Sequence, residues 1–317
     1  MQRLTLEGFE GVFTTHGIDI YSTPDEPGTV YILAINHVPN PAYNKGTGEN
    51  RARSRLELFQ YQIGSSTARH VRSFWHPLIR TPNDVLIASP TSVFVTNDHY
   101  FREGWGRLWE EFIWELPPTT DIVHLELATA WEHQAPNYND TLGIVSATSI
   151  PGWHSNNGLA HGQHANQMLI CRAHDGEVIM ANITSTSPEI NVINRTYFST
   201  TLDNPSYFLD PYAAVTGRDA SGFVIAGMTR AISFPHGVHN PDDDGGSHNG
   251  CNPSVVWLMN DRWEKKVIFE DDGRLVNAAS TAVLIALDPK ENGGQKKARL
   301  FVTGVLGKGI VVVTRDL

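Results

Sequence analysis

The sequence predicts an all-β protein. Its apolar segments are short and rich in β-branched and aromatic residues, and Gly, Pro, Asn and Asp separate them at close intervals. Only one stretch carries a helical period. Many short strands with turn chemistry between them indicate a closed or layered sheet architecture that protects its edges.

In chain order, the apolar runs predict strands at Gly17–Tyr21, Thr29–Asn36, Leu56–Ile63, Val71–Phe74, Asp84–Ala88 and Ser92–Thr96. After a break come Ile122–Leu127, Thr141–Ala147, Gln167–Arg172, Glu177–Ile183, Gly222–Ala226, Ser254–Asn260 and Trp263–Glu270. Ala279–Asp288, Ala298–Gly304 and Gly309–Thr314 complete the set. Ala173-His174-Asp175-Gly176 and Glu270-Asp271-Asp272-Gly273 read as hairpin loops of the Asp-Gly kind.

The exception is an amphipathic helix near 103–116. Within REGWGRLWEEFIWEL, Trp105, Leu108, Trp109, Phe112, Ile113 and Leu116 share one face. Its glutamates Glu103, Glu110, Glu111 and Glu115 oppose an anionic lipid surface, so the helix is expected to pack over the mouth of the domain. Two long loops stand out. Asn40 to Arg55 is a polar excursion, and 234–253 is a flexible Gly/Asp/His insertion. The histidines and Asp242-Asp243-Asp244 of the second match no EF-hand or zinc spacing, so it reads as a solvated loop.

Composition narrows the function. The chain has 317 residues, ample for a core, with a formal net charge of −10 and no basic stripe, which argues against nucleic-acid binding. No apolar run approaches membrane-spanning length. Two cysteines, Cys171 and Cys251, are too few for a disulfide framework; one bridge or two unpaired buried thiols both fit. Met1 opens no signal peptide, while sequons at Asn139, Asn182 and Asn194 hint only weakly at secretion, which an N-terminal truncation would leave open.

The organising stretch is Val93 to Phe101, VFVTNDHYF, where a strand runs straight into Asn97-Asp98-His99. Asn and Asp are depleted in strand interiors, so either a turn follows or adjacent oxygens close the strand around a hard cation. Three other stretches share the form: Thr14–Ile18, Ser155–Leu159 and Thr201–Pro205. Their spacing is uneven but compatible with blades of about 40–50 residues. A propeller brings the innermost strand of every blade to one axis, where scattered Asn and Asp would form a cage of amides and few carboxylates.

TTHGIDIY, YILAINH, VTNDHYF, NNGLA, TLDN and the terminal STAVLI and LFVTGVLGKGIVVV together resemble the paraoxonase/arylesterase family. The resemblance implies a single six-bladed β-propeller, two calcium ions in its tunnel, and hydrolysis of lactones and aryl esters, with a small-molecule ester or lactone as partner. It places Asn97, Asn157, Asp203 and Asn204 on the catalytic calcium. Asp98 and the backbone carbonyl of Ile18 fall on the structural calcium, and His16 and His37 on the histidine pair at the site mouth. The family's Glu-Asp pair of the first blade has no counterpart before His16, and its terminal cysteines are absent. The expectation is therefore a propeller lacking its N-terminal blade, either as a piece of a longer sequence or as a shorter protein.

In that chemistry, calcium is the Lewis acid and His16 the base that activates water, with His37 tuning or relaying the proton. Each residue also has a structural reading: a turn histidine at His16, a satisfied core or second-layer histidine at His37, and ordinary turns at Asn157-Gly158 and Asp203-Asn204-Pro205. No G-x-S-x-G elbow is present to support a serine hydrolase route. The alternative function is a non-catalytic propeller that binds a partner and has lost a complete calcium site.

Overall fold

A computed structural model describes residues 3–46, 48–112, 119–128, 143–229 and 251–317. The chain divides into two compact units, residues 1–158 with 183–190, and residues 159–182 with 191–317. The all-β expectation is met: the described strands form four sheets, built almost entirely from antiparallel neighbours in sequence.

In the first unit, β1 (Thr5–Glu7), β2 (Thr15–Tyr21), β3 (Thr29–Pro39), β4 (Ala52–Gln62) and β5 (Thr67–Phe74) form a sheet in the order β1-β5-β4-β3-β2. β1 adds to the edge in parallel, with Thr5 opposite Thr67. β6 (Pro82–Ser89), β7 (Ser92–Asn97), β8 (Thr120–Leu127) and β9 (Ile144–Trp153) form a second meander. Alternate residues of these strands, among them Leu33, Ile35, Leu58, Val85, Ile87, Val95 and Val123, make one apolar core. The sequence before His16 is not idle. Phe9 and Phe13 pack with Phe59 and His70 at ring separations of 5.2 to 5.7 Å.

The third sheet is the meander β10 (Asn156–His161), β11 (Gln167–Arg172), β12 (Glu177–Thr184) and β13 (Ser187–Tyr197). In the second unit, β14 (Thr201–Phe208), β15 (Gly222–Met228), β16 (Ser254–Met259) and β17 (Lys265–Asp271) run as a further meander. It joins the three-stranded β18 (Ala279–Leu287), β19 (Lys297–Gly304) and β20 (Val311–Asp316) through a parallel contact at Asn204 and Thr281. Consecutive four-stranded meanders are the repeating element from which propeller blades are made. The cores of this unit gather Val224, Val256, Ala282, Leu300 and Val302 in one cluster, and Leu169, Met180, Phe223 and Met259 in another.

Two expectations need amending. NNGLA and TLDN are strand residues in β10 and β14 rather than turns. Their polar residues hide the alternation, and sheet pairing overrides local turn preference. The helix α1 (Gly104–Phe112) forms, and among the described residues Trp105 is left 80% exposed and Trp109 59%. Polar ties hold it. Glu110 accepts from the backbone N–H groups of Tyr100 and Phe101 at 2.9 Å, and Glu103 pairs with Arg51 at 2.9 Å. The expected continuation of the helix to 116, and most of the 234–253 loop, lie outside the described residues. No helix among those described is long and apolar enough to cross a membrane. Cys171 and Cys251 form no disulfide.

Candidate active site

The first unit brings His16 and His37 together. β2 and β3 pair as Thr15 with Asn36 and Ile18 with Ala34, so three steps on β2 oppose two on β3. That extra residue is a bulge, which bends the strand and re-aims a side chain. It turns His16 toward His37, with Nδ1 3.2 Å from the Nε2 of its partner. The following residue must be glycine, because a Cβ at Gly17 would lie 2.3 Å from Asp84 Oδ1 and 2.5 Å from Asp84 Cα. Behind the pair, His37 Nδ1 lies 2.7 Å from Ser54 Oγ, and Arg102 donates to the same hydroxyl and to the carbonyl of Arg80.

Burial makes both rings hold a proton less readily than a free imidazole. Burial, then the neighbouring His16 and Arg102, push His37 from 6.5 to about 4, against a pull from Asp98. Surrounding protein also lowers His16, and the Asp98 carboxylate opposes that shift. His16 is nevertheless open to solvent on one side, so water can reach its ring.

The amides differ in kind. Asn97 is wholly buried at the end of β7. Its Oδ1 accepts from the N–H groups of Arg80 and Thr81 at 3.0 Å each, and its Nδ2 donates to Leu78 O at 2.9 Å and Asp121 Oδ1 at 2.7 Å. The amide thus clamps the chain entering β6, a role its sequence position did not suggest. Asp98 sits 3.1 Å from His99 Nδ1 and 3.9 Å from Arg107, and these partners hold its carboxyl low despite burial, which alone would raise it.

Asn157 and Asn204 present the opposite picture. Each has a buried Oδ1 with no hydrogen-bond partner. Asn157 follows Ser155, whose φ of +48° is left-handed and whose Oγ is also buried without a partner. A non-glycine residue in that region is strained, and such strain clusters at functional positions. In the second unit, Asn204 Nδ2 donates to Ser280 and Thr281 hydroxyls at 3.2 Å each, leaving the oxygen unused. Burial pushes neighbouring Asp203 from 3.8 to about 7, with only Ser280 bonding to favour its charge.

A hard cation is the group such a donor set lacks. Asn157 in the first unit, and Asp203 with Asn204 in the second, each present oxygens of the kind calcium takes from amides and carboxylates. Asn97 fits only on giving up one of its backbone bonds. Among the described residues no cluster of three or more His, Cys, Asp or Glu side chains could hold a metal.

Residues 6–128 match the Arylesterase family. The mouse serum paraoxonase/arylesterase 1 is 28% identical over 207 residues, 65% of this chain and 47% of that protein. The chicken serum paraoxonase/arylesterase 2 is 34% identical over 97 residues, 30% of this chain and 23% of that one. The chain is thus similar to paraoxonases/arylesterases over part of its length, and it matches about half or less of the length of these curated relatives. Among solved structures, a soluble aldose sugar dehydrogenase from Escherichia coli gives a TM-score of 0.46 at 11% identity, covering 98% of this chain and 86% of that one. A gluconolactonase from Xanthomonas campestris gives 0.41 at 12%, covering 83% and 69%.

Proposed function

We propose that the protein hydrolyses carboxylic esters, in particular lactones or aryl esters, with His16 as the base that activates water. The contact between His16 and His37 carries this reading, because it places two neutral imidazoles in a hydrogen-bonded chain within the segment that matches the Arylesterase family. In the base-competent tautomer His16 Nδ1–H donates to His37 Nε2, and His37 Nδ1–H donates to Ser54 Oγ. This leaves a lone pair on His16 Nε2 for the proton of water. Arg102 beside Ser54 disfavours a positive charge on His37, so the acquired proton stays on His16, where Asp98 steadies it.

The ligand set implied by the family is Asn97, Asn157, Asp203 and Asn204, with Asp98 and the Ile18 carbonyl at a second position. The partnerless oxygens of Asn157 and Asn204 support it. Calcium bound there would polarise the ester carbonyl and stabilise the developing oxyanion. The enclosing architecture under this reading is a six-bladed wheel to which the chain contributes most blades.

The test is turnover of phenyl acetate and δ-valerolactone before and after exhaustive chelation, in the parent and in His16→Gln. Chelator-sensitive turnover restored by calcium, and lost in His16→Gln, is expected. Turnover indifferent to both would overturn the proposal. The fully engaged amide of Asn97 favours a second reading, a non-catalytic binding scaffold. A folded chain that takes up no calcium and turns over neither substrate would select it.

A further inference from the structure

The second unit holds a pocket that shares no residue with the candidate active site. Its volume is about 210 Å³. Buried Met180, Phe223 and Met259 line it with Trp263, and Gln167 and Asp261 bring polar groups to it. Drug-sized sites occupy roughly 300–1,000 Å³, so this one suits a small headgroup. It lies toward the far end of β14 from Asp203 and Asn204: Tyr207, near that end, stacks edge-on against Phe223 at 4.9 Å. The Tyr207 hydroxyl is buried with no hydrogen-bond partner.

Trp263 is held there at a cost. Its φ is +65°, the left-handed region that glycine occupies in the tight turn between β16 and β17. Asn260 locks that turn. Its Oδ1 accepts from the N–H groups of Arg262 and Glu264 at 3.0 Å each, and its Nδ2 donates to Glu264 Oε2 at 2.7 Å. An indole where glycine belongs is an outlier that wants a reason, and two are on view: its packing against the Phe223–Met259 cluster and the wall it gives the pocket.

The charge is one-sided. Among the described residues Asp261 makes no ion pair or hydrogen bond. Surrounding protein and then the nearby Asp219 raise its carboxyl above the ordinary value, with His164 opposing. A hard metal ion needs about six oxygens; of the polar lining groups Gln163, Gln167, Asn260 and Asp261, the Asn260 oxygen is committed to its turn and only Asp261 is a carboxylate. A neutral apolar guest would strip water from Asp261 and return nothing. A cation with apolar substituents satisfies both surfaces, since aromatic faces and a carboxylate each attract it.

We propose that this pocket binds a small organic cation, an alkylated ammonium group set against Trp263 and Phe223 with Asp261 as counter-charge. The probes are choline and its neutral isostere 3,3-dimethylbutan-1-ol, each titrated into the full chain and followed by the indole N–H resonances and by calorimetry. Saturable millimolar binding of choline is expected, with the alcohol at least about tenfold weaker. Trp263→Gly should lose about tenfold in choline affinity, with the backbone relief from glycine offsetting part of the indole's lost packing on the Phe223–Met259 cluster. Asp261→Asn, a change at an exposed position, should lose about fivefold at low salt. No saturable choline binding, equal affinity for the alcohol, or parent-like affinity in both variants would each overturn the assignment. Should Trp263→Gly fail to fold, the isostere comparison and Asp261→Asn decide. Ester hydrolysis in either variant tests the other site and has no bearing on this one.

Discussion

Truncating Asn97 to alanine separates a structural amide from a metal ligand. The side chain is wholly buried and makes four hydrogen bonds. Alanine leaves the N–H groups of Arg80 and Thr81 and the carbonyl of Leu78 unsatisfied, while Asp121 keeps Arg80 and Ser149. Each buried orphan costs about 1–3 kcal/mol, and a water entering the vacated space recovers part of it, so a net loss of about 3–4 kcal/mol is expected. For a chain of this size 1 kcal/mol moves Tm by about 1.5 °C, giving a fall of roughly 4–6 °C. Calorimetry in EDTA measures this term alone. Repeating the scan in calcium adds the ligand term, because a cation bound only by the folded parent stabilises it by about 2.7 kcal/mol at a hundredfold excess over Kd. A variant melting within about 2 °C of the parent in EDTA would refute the clamp, and an equal gap in both buffers would remove Asn97 from the ligand set.

Four further outcomes are expected. Gly17→Ala forces a Cβ to within 2.6 Å of Asn83 O as well as against Asp84, so it should cost about 1–3 kcal/mol and displace His16, read as lower kcat with KM little changed. Glu57 is buried and its carboxyl titrates below its ordinary 4.5, since His70, Ser73, Arg55 and Asn36 outweigh the opposing effect of burial. Its stabilisation is therefore full above pH 4.5 and disappears as pH falls through the lower folded value. Glu57→Gln should be about 3 kcal/mol less stable at pH 7, with the gap closing in acid, as urea titrations at both pH values would report. With His16 below 6.5, the acid limb of kcat/KM should lie under pH 6.5 and vanish with about 10²–10⁴ of the rate in His16→Gln. Asn204→Ala loses only two bonds to hydroxyls, so in EDTA it should melt within about 4 °C of the parent; a Tm gain on adding calcium as large as the parent's would exclude it as a ligand.

The strands were legible wherever alternation was clean. Gln167–Arg172 forms where its pattern placed it, and most others differ only by a few residues at the ends. β10, β13 and β14 were missed for one reason. Their sequences carry Asn, Asp, Pro and Ser on faces that meet solvent or the candidate site, so no period of two shows. The histidine pair was legible only through motif resemblance, because His16 and His37 are distant in sequence and a bulge creates their contact. Ser54 and Arg102, which complete the chain of contacts, had no signal at all: a serine in a strand and an arginine before a helix are unremarkable until folding aligns them.

Asn97, Asn157 and Asn204 are identical as letters, and the resemblance treats them alike. Folding separates them by what their oxygens already touch. At Asn97 two backbone donors use both lone pairs, so a cation must compete with bonds the fold needs. At Asn157 and Asn204 the oxygens are buried and unused, a state that costs about 1–3 kcal/mol apiece and persists in a folded chain only if something else repays it. Asp203, held near pH 7 by burial, adds a third such debt in the second unit. Under the proposed function, a cation bound to these oxygens would return part of that stability. The hierarchy of calcium sensitivity should therefore run from Asn204 and Asn157 down to Asn97, the reverse of their prominence in the sequence motifs.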